Sequence, residues 1–303
     1  MKFSKLNFED KNIEIIRDFD FEFIAKLHSL SEKGKNLVFL LDEKYLDNKV
    51  VNLISGVITY RNVAEALTKK SPNLGLVASD NPKETFYKVY LHLYDNNFFS
   101  ESFDSRISDK AIIHPKAYIA SRNVVVGENT IIEEGVIVKE NVVIGKNCLI
   151  QSGTILGNDC FETAIIDGKQ QLIPHSGKLI IGNNVVIQSN CTISKGLFPT
   201  KNTYIDDEVI IADMVHIAHG VHIKYRSRIA AGVIIAGNTT IGSNVWIGPS
   251  AVISNGLTIG NNAFIAIGSV VVSNVADNQK VAGNFAIDFK TFKKFIGRIR
   301  IGN

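Results

Sequence analysis

Between Ile205 and Val271 an aliphatic residue recurs at every sixth position: Ile205, Ile211, Ile217, Ile223, Ile229, Ile235, Ile241, Ile247, Ile253, Ile259, Ile265 and Val271. Neither the period of a helix nor the alternation of an ordinary strand gives that spacing. Four residues after each aliphatic stands a small or medium side chain, among them Val215, Val221, Ser227, Val233, Ala251 and Ala263, with Gly, Asn and Asp crowded between. Such a repeat predicts a parallel β-helix: each hexad supplies one short strand and one turn, and stacked coils bury a continuous aliphatic column. The pattern opens at Ile113 and Ile119, slips by one residue, and holds phase from Val126 through Ile132, Val138, Ile144, Ile150 and Leu156. It breaks over residues 161–178, returns at Ile181, Ile187 and Ile193, and breaks again over 197–204. Loops that interrupt a solenoid project from one side of it and commonly build its site.

Residues 1–105 lack the repeat and predict a small α/β domain. Leu37–Leu41, Val50–Ile54 and Leu74–Ala78 are short apolar runs of strand character. Asp80-Asn81-Pro82 is a helix-start signal, followed by apolar residues at helical spacing from Phe86 to Leu93. The solenoid is assigned to 106–275. Residues 276–303 form a tail in which Phe289, Phe292, Phe295, Ile296 and Ile299 make an apolar helical stripe flanked by Lys and Arg. The expected class is therefore mainly β, a β-helix with an N-terminal α/β domain and a short helical tail.

Composition changes this picture little. With 303 residues, 45% of them hydrophobic, and a formal net charge of +3, the chain has no charge excess that would point to nucleic acid. No apolar run reads as a membrane span or secretory leader, and the expected compartment is the cytosol. Cys148, Cys160 and Cys191 each fall on the small-residue position of a hexad and are expected as buried thiols inside the column.

The apolar column offers no reactive group, so the chemistry must lie on outer faces or corners. Three of the seven histidines, His216, His219 and His222, fall in or beside one hexad. His219 takes a turn position, and a coil of about 18 residues stacks Gly237 above it. A histidine beside a bare backbone N–H suits a general base with an oxyanion donor. Two blander readings compete: an idle surface histidine, and a zinc site, although His-x-x-His-x-x-His on a β-helix spreads its rings in different directions. His216 and His222 are second candidates for binding or orienting an acceptor.

From these residues the chain resembles the UDP-3-O-acylglucosamine N-acyltransferases of lipid A synthesis, within the hexapeptide-repeat acyltransferases, over almost its whole length. Ile217-Ala218-His219-Gly220-Val221 and Asn190-Cys191-Thr192-Ile193-Ser194-Lys195-Gly196 are similar to that family's central motif, and Phe39-Leu40-Leu41-Asp42-Glu43-Lys44-Tyr45 to its uracil-stacking motif. The resemblance implies a left-handed winding, a homotrimer, His219 as base, and the Gly237 N–H as an oxyanion donor. It also implies a uracil sandwiched by Phe39 and Tyr45, with Asp42 beside it. The chain departs from the family pattern at Asp42 and Gly220, where the family has asparagine, and at Gly256, where it has a second histidine.

The expected reaction is attack of the amine of a nucleotide-linked amino sugar on a thioester carried by acyl carrier protein or CoA. No tightly bound cofactor and no metal is expected. At an ordinary histidine pKa of ~6.5 the base is mostly neutral at pH 7, so the role needs no large shift. Two alternatives stay open: an acetyl-CoA-dependent or short-hydroxyacyl transferase acting on a UDP- or dTDP-amino sugar for surface polysaccharide, and a non-catalytic or zinc-binding repeat protein.

Overall fold

A computed structural model describes residues 1–283 except 7, 9, 11, 47, 48, 100 and 101, together with Asp288, Lys290, Thr291, Lys294 and Gly297. The apolar stripe from Phe289 to Ile299 lies outside the described residues.

The hexads stack into a three-sided parallel β-helix whose sheets hold nine, eight and eight strands among the described residues. Ile217, Ile235, Ile253 and Val271 pair in direct register from coil to coil, and each is buried. The six-residue period works because two-residue strands place one side chain inward and one outward, and the next turn rotates the chain to a new face. Many turns need a left-handed residue, which asparagine tolerates best after glycine. Asn129, Asn147, Asn184, Asn244 and Asn262 take it with φ of 57°, 55°, 56°, 56° and 56°. Their side chains also stack, Asn129 Nδ2 donating to Asn147 Oδ1 at 3.1 Å and Asn147 Nδ2 to Asn184 Oδ1 at 3.3 Å.

Five strands form the N-terminal sheet, in the order β1-β5-β4-β3-β2: β1 (Ile13–Arg17), β2 (Phe23–Ile24), β3 (Asn36–Leu40), β4 (Ile54–Thr59) and β5 (Gly75–Ser79). Only β1 runs antiparallel to its neighbour. The run Val50–Ile54 is not a strand: Val51–Leu53 is a 3-10 turn that delivers the chain to β4. Helix α1 (Arg61–Lys70) covers one face, and α2 (Pro82–Asp95) covers the other. The side chain of Asn81 caps α2 by accepting from the Glu84 N–H, and Pro82 fills the first turn.

The two solenoid interruptions explain how this domain is held. The first carries an antiparallel hairpin, Thr163–Ile166 with Lys169–Leu172. Ala164, Ile166 and Ile173 from it, with Leu197 and Phe198 from the second, share one apolar core with Phe86, Tyr87 and Tyr90 of α2. Tyr90 Oη donates to the Pro174 carbonyl at 2.8 Å. The domain thus docks on the insertions through its aromatic helix face.

A second expectation fails. Cys148 and Cys191 are buried in the column, but Cys160 is only half-buried and lies outside it. Gly157 takes φ +81° and the register slips between Leu156 and Asn158, so the chain leaves the coil before the expected small-residue position is reached.

Candidate active site

Four successive corners of the β-helix build the site, all on the edge where strands of one sheet turn into those of the next. The first insertion departs after Ile155–Asn158 and the second after Thr192–Ser194; His219 follows His216–Ile217, and Gly237 follows Ile234–Ile235. The parallel register stacks them vertically.

A Cβ on Gly237 would stand 2.9 Å from His219 Nε2 and 3.1 Å from Cε1, so the missing side chain is what admits the imidazole. The Gly237 carbonyl accepts from the Gly256 N–H, whereas the Gly237 N–H donates to no other group among the described residues. His219 is half-buried, with the His175 ring edge-on to it at a centroid distance of 5.5 Å. Burial, and then His175, Lys26 and His28, bring the His219 pKa down to about 4, against the opposing pull of Glu162. The shift is larger than the role was expected to need, and it leaves the ring neutral through the physiological range.

The insertions supply the walls. His175 is fully buried; its Nε2 accepts the Cys160 N–H at 3.3 Å, and its Nδ1 lies 3.1 Å from the Ile173 carbonyl, which places its proton on Nδ1. Burial holds its pKa below the ordinary value. Lys195, almost wholly buried, pairs with Asp159 at 3.4 Å. Glu162 accepts from Lys26 Nζ at 2.7 Å and from the Tyr87 hydroxyl. Burial would raise the Glu162 pKa, but Lys26 and Tyr87 outweigh it and hold the carboxylate ionised. Domain, hairpin and solenoid therefore meet around His219.

The other anticipated residues divide. His216 lies at the same edge, its Nδ1 sharing a 2.9 Å hydrogen bond with Thr192 Oγ1. His222 turns onto the neighbouring face, where it pairs with Asp206 at 2.8 Å and meets the Tyr204 ring at 5.4 Å. Phe39 faces α2, with its ring 5.0 Å from Phe86, while Tyr45 is 54% exposed. No ring contact joins Phe39 to Tyr45 among the described residues. Asp42 accepts from the Lys44 N–H at 2.9 Å and lines, with Lys44, Leu67 and Lys70, a cleft of about 420 Å³ on the α1 side. Among the described residues no three of His, Cys, Asp and Glu are placed to hold one metal ion. No helix there is long and apolar enough to cross a membrane.

Sequence reasoning missed His175, Glu162, Lys26 and Tyr87, and placed Cys160 inside the column. The available signal was a histidine, a cysteine and a glutamate at the borders of a repeat break.

Residues 123–158 and 238–273 match the family described as Bacterial transferase hexapeptide (six repeats). Comparison with curated proteins gives no match. Among solved structures the chain is similar to the UDP-N-acetylglucosamine acyltransferase from Campylobacter jejuni, at 20% identity over 63% of this chain and 80% of that one, with a TM-score of 0.52. It is also similar to the Francisella novicida UDP-N-acetylglucosamine acyltransferase, at 27% identity over 63% and 69%, with a TM-score of 0.51. The fold is a left-handed parallel β-helix built of hexapeptide repeats.

Proposed function

We propose that this chain is an acyltransferase that moves an acyl group from a thioester, on acyl carrier protein or CoA, to the amine of a nucleotide-linked amino sugar, most like the UDP-3-O-acylglucosamine N-acyltransferases. The observation that carries the reading is the pairing of neutral, half-buried His219 with the unengaged N–H of Gly237. His219 accepts the proton of the attacking amine, the Gly237 N–H donates to the oxyanion of the tetrahedral intermediate, and the donor thiol leaves. The repeats and the likeness to nucleotide-sugar acyltransferases support the same class of reaction. Phe39, Asp42, Tyr45, His216 and His222 are proposed for the acceptor. Phe39 and Tyr45 can close on a base only if Tyr45 swings over the Phe39 edge. A homotrimer is supported by exposed aliphatics on the face that carries His216, Ile234 at 44% and Val270 at 60%.

A second reading follows from the Francisella novicida likeness: the acceptor is the N-acetylated sugar, which has no free amine and must react through a hydroxyl. One mass-spectrometric screen separates the two. Protein is offered UDP-N-acetylglucosamine, UDP- and dTDP-amino sugars and UDP-3-O-acylglucosamine, each with 3-hydroxyacyl carrier protein or acetyl-CoA. Acylation of an amine is expected; product only from UDP-N-acetylglucosamine replaces the first reading with the second, and no product from any pair refutes both.

A further inference from the structure

We infer that Lys201 binds the phosphate of the acceptor that lies nearest its sugar, one coil below His219, and so fixes which way the nucleotide sugar enters the site. The inference rests on the acyl-transfer reading above and deepens it by assigning a residue to the acceptor's charge. Lys201 belongs to the second insertion. Tyr204 pairs in register with His222, so Lys201 and His219 hold equivalent positions on neighbouring coils, each just ahead of its own paired strand.

The side chain stays at that edge. A Cβ on Gly220, the residue after His219, would stand 3.1 Å from Lys201 Cγ, so the bare glycine lets the lysine stem lie beside the base. From the next coil Asn238 Oδ1 would stand 2.5 Å from the same Cβ. Neither the Lys201 ammonium nor the Asn238 side-chain amide makes a hydrogen bond or ion pair among the described residues. The carboxylates of the site are already engaged, Glu162 by Lys26 and the Tyr87 hydroxyl, and Asp159 by Lys195. A half-buried cation left without a counter-charge is suited to an anion that a ligand brings.

Spacing selects the phosphate. A lysine ammonium is a compact point charge that phosphate oxygens can approach from several directions. In a nucleotide-linked 2-amino sugar the amine and the nearest phosphorus are joined through N–C–C–O–P, a span of the order of one rung of the β-helix, ~4.8 Å. With the amine at His219, that phosphate falls one rung away. Only one direction offers it a charge. Towards the C-terminal coils this edge carries Gly237, Asn238, Asn255 and Gly256, all neutral, and a Cβ on Gly256 would meet nothing within 4 Å. In the other direction it carries Lys201, and the N-terminal domain adds Lys26, 2.7 Å from Glu162. The nucleotide is thereby drawn to the domain side of His219.

The test is binding without turnover. The full chain is titrated by calorimetry at low ionic strength with UDP and dTDP, with their nucleosides uridine and thymidine, and with coenzyme A. One diphosphate should bind at least ~10-fold tighter than its nucleoside. Lys201→Met, which keeps the stem over Gly220 and removes the charge, should weaken that diphosphate ~10- to 100-fold and leave the nucleoside unchanged, and Lys201→Arg should restore most of the loss. A wild-type protein that binds neither diphosphate tighter than its nucleoside, or a Lys201→Met protein that keeps the margin, overturns the inference. A loss confined to coenzyme A also overturns it, because the lysine then serves the donor. If Lys201→Met fails to fold, wild-type protein decides: the diphosphate should shield Lys201 from acetylation by an N-hydroxysuccinimide ester, read by peptide mapping, and equal labelling with and without it refutes the assignment. Failure of the acyl-transfer reading looks different, since the diphosphate then binds through Lys201 while no acceptor yields product.

Discussion

Gly237→Ala tests the contact on which the proposed catalysis depends. The added Cβ would stand 2.9, 3.1 and 3.3 Å from Nε2, Cε1 and Cδ2 of His219, one whole edge of the ring. Carbon contacts relax only at ~3.5–4.0 Å, so the imidazole must retreat by ~0.5 Å or more. Gly237 does not occupy the left-handed region, so its backbone accepts alanine and the cost falls on the ring. Retreat is opposed by His175, edge-on at 5.5 Å. Overpacking of this kind costs about 1–3 kcal/mol, small enough to leave the solenoid folded. A ~1 Å misplacement of a catalytic group can cost ~100-fold, so kcat should fall ~10- to 100-fold, with KM changing less. Steady-state kinetics with the acceptor found in the screen, beside a thermal melt, measure both. Wild-type kcat in a folded Gly237→Ala protein would refute the placement of His219 as the base.

Four further outcomes are expected. If neutral His219 is the working form, the acid limb of the kcat/KM profile should centre on about 4 rather than on the ordinary histidine value, and a limb near ~6.5 would contradict this. Because folding depresses that pKa, the linked stability is complete above ~6.5 and is lost as pH falls through about 4; it is worth up to about 3 kcal/mol, readable from urea melts across that window. Tyr87→Phe removes a hydrogen bond to the Glu162 carboxylate and should cost about 1.5–3 kcal/mol in denaturant unfolding, while Ile235→Ala, in the fully buried column, should cost about 2–5 kcal/mol.

The column was legible because its period is local: Ile205 to Val271 each had only to sit six residues from the last. The Asn81 cap and the strands around Leu37 and Leu76 were local signals too. Cys160 was misplaced because the hexad count ran straight through Gly157, and counting cannot register a backbone that leaves the coil. His175 and Glu162 reach His219 by a tertiary return, through a hairpin whose landing place depends on Phe86, Tyr87 and Tyr90 far earlier in the chain. Phe39 lies apart from Tyr45 for a related reason. Strand alternation sends Val38 and Leu40 to α1 but Phe39 to α2, and the turn after β3 carries Asp42 to the α1 side.

Stacking every participant on one edge turns the molecule into a ruler. Neighbouring coils are separated by the strand spacing of ~4.8 Å, so vertical distance along this edge comes in whole rungs. Cys160 leaves from one rung, Lys195 from the next, His219 from the third and Gly237 from the fourth. Reach can then be changed by inserting or deleting a coil between two rungs, which lengthens or shortens the gap by a fixed step and leaves the cross-section around each side chain as it was.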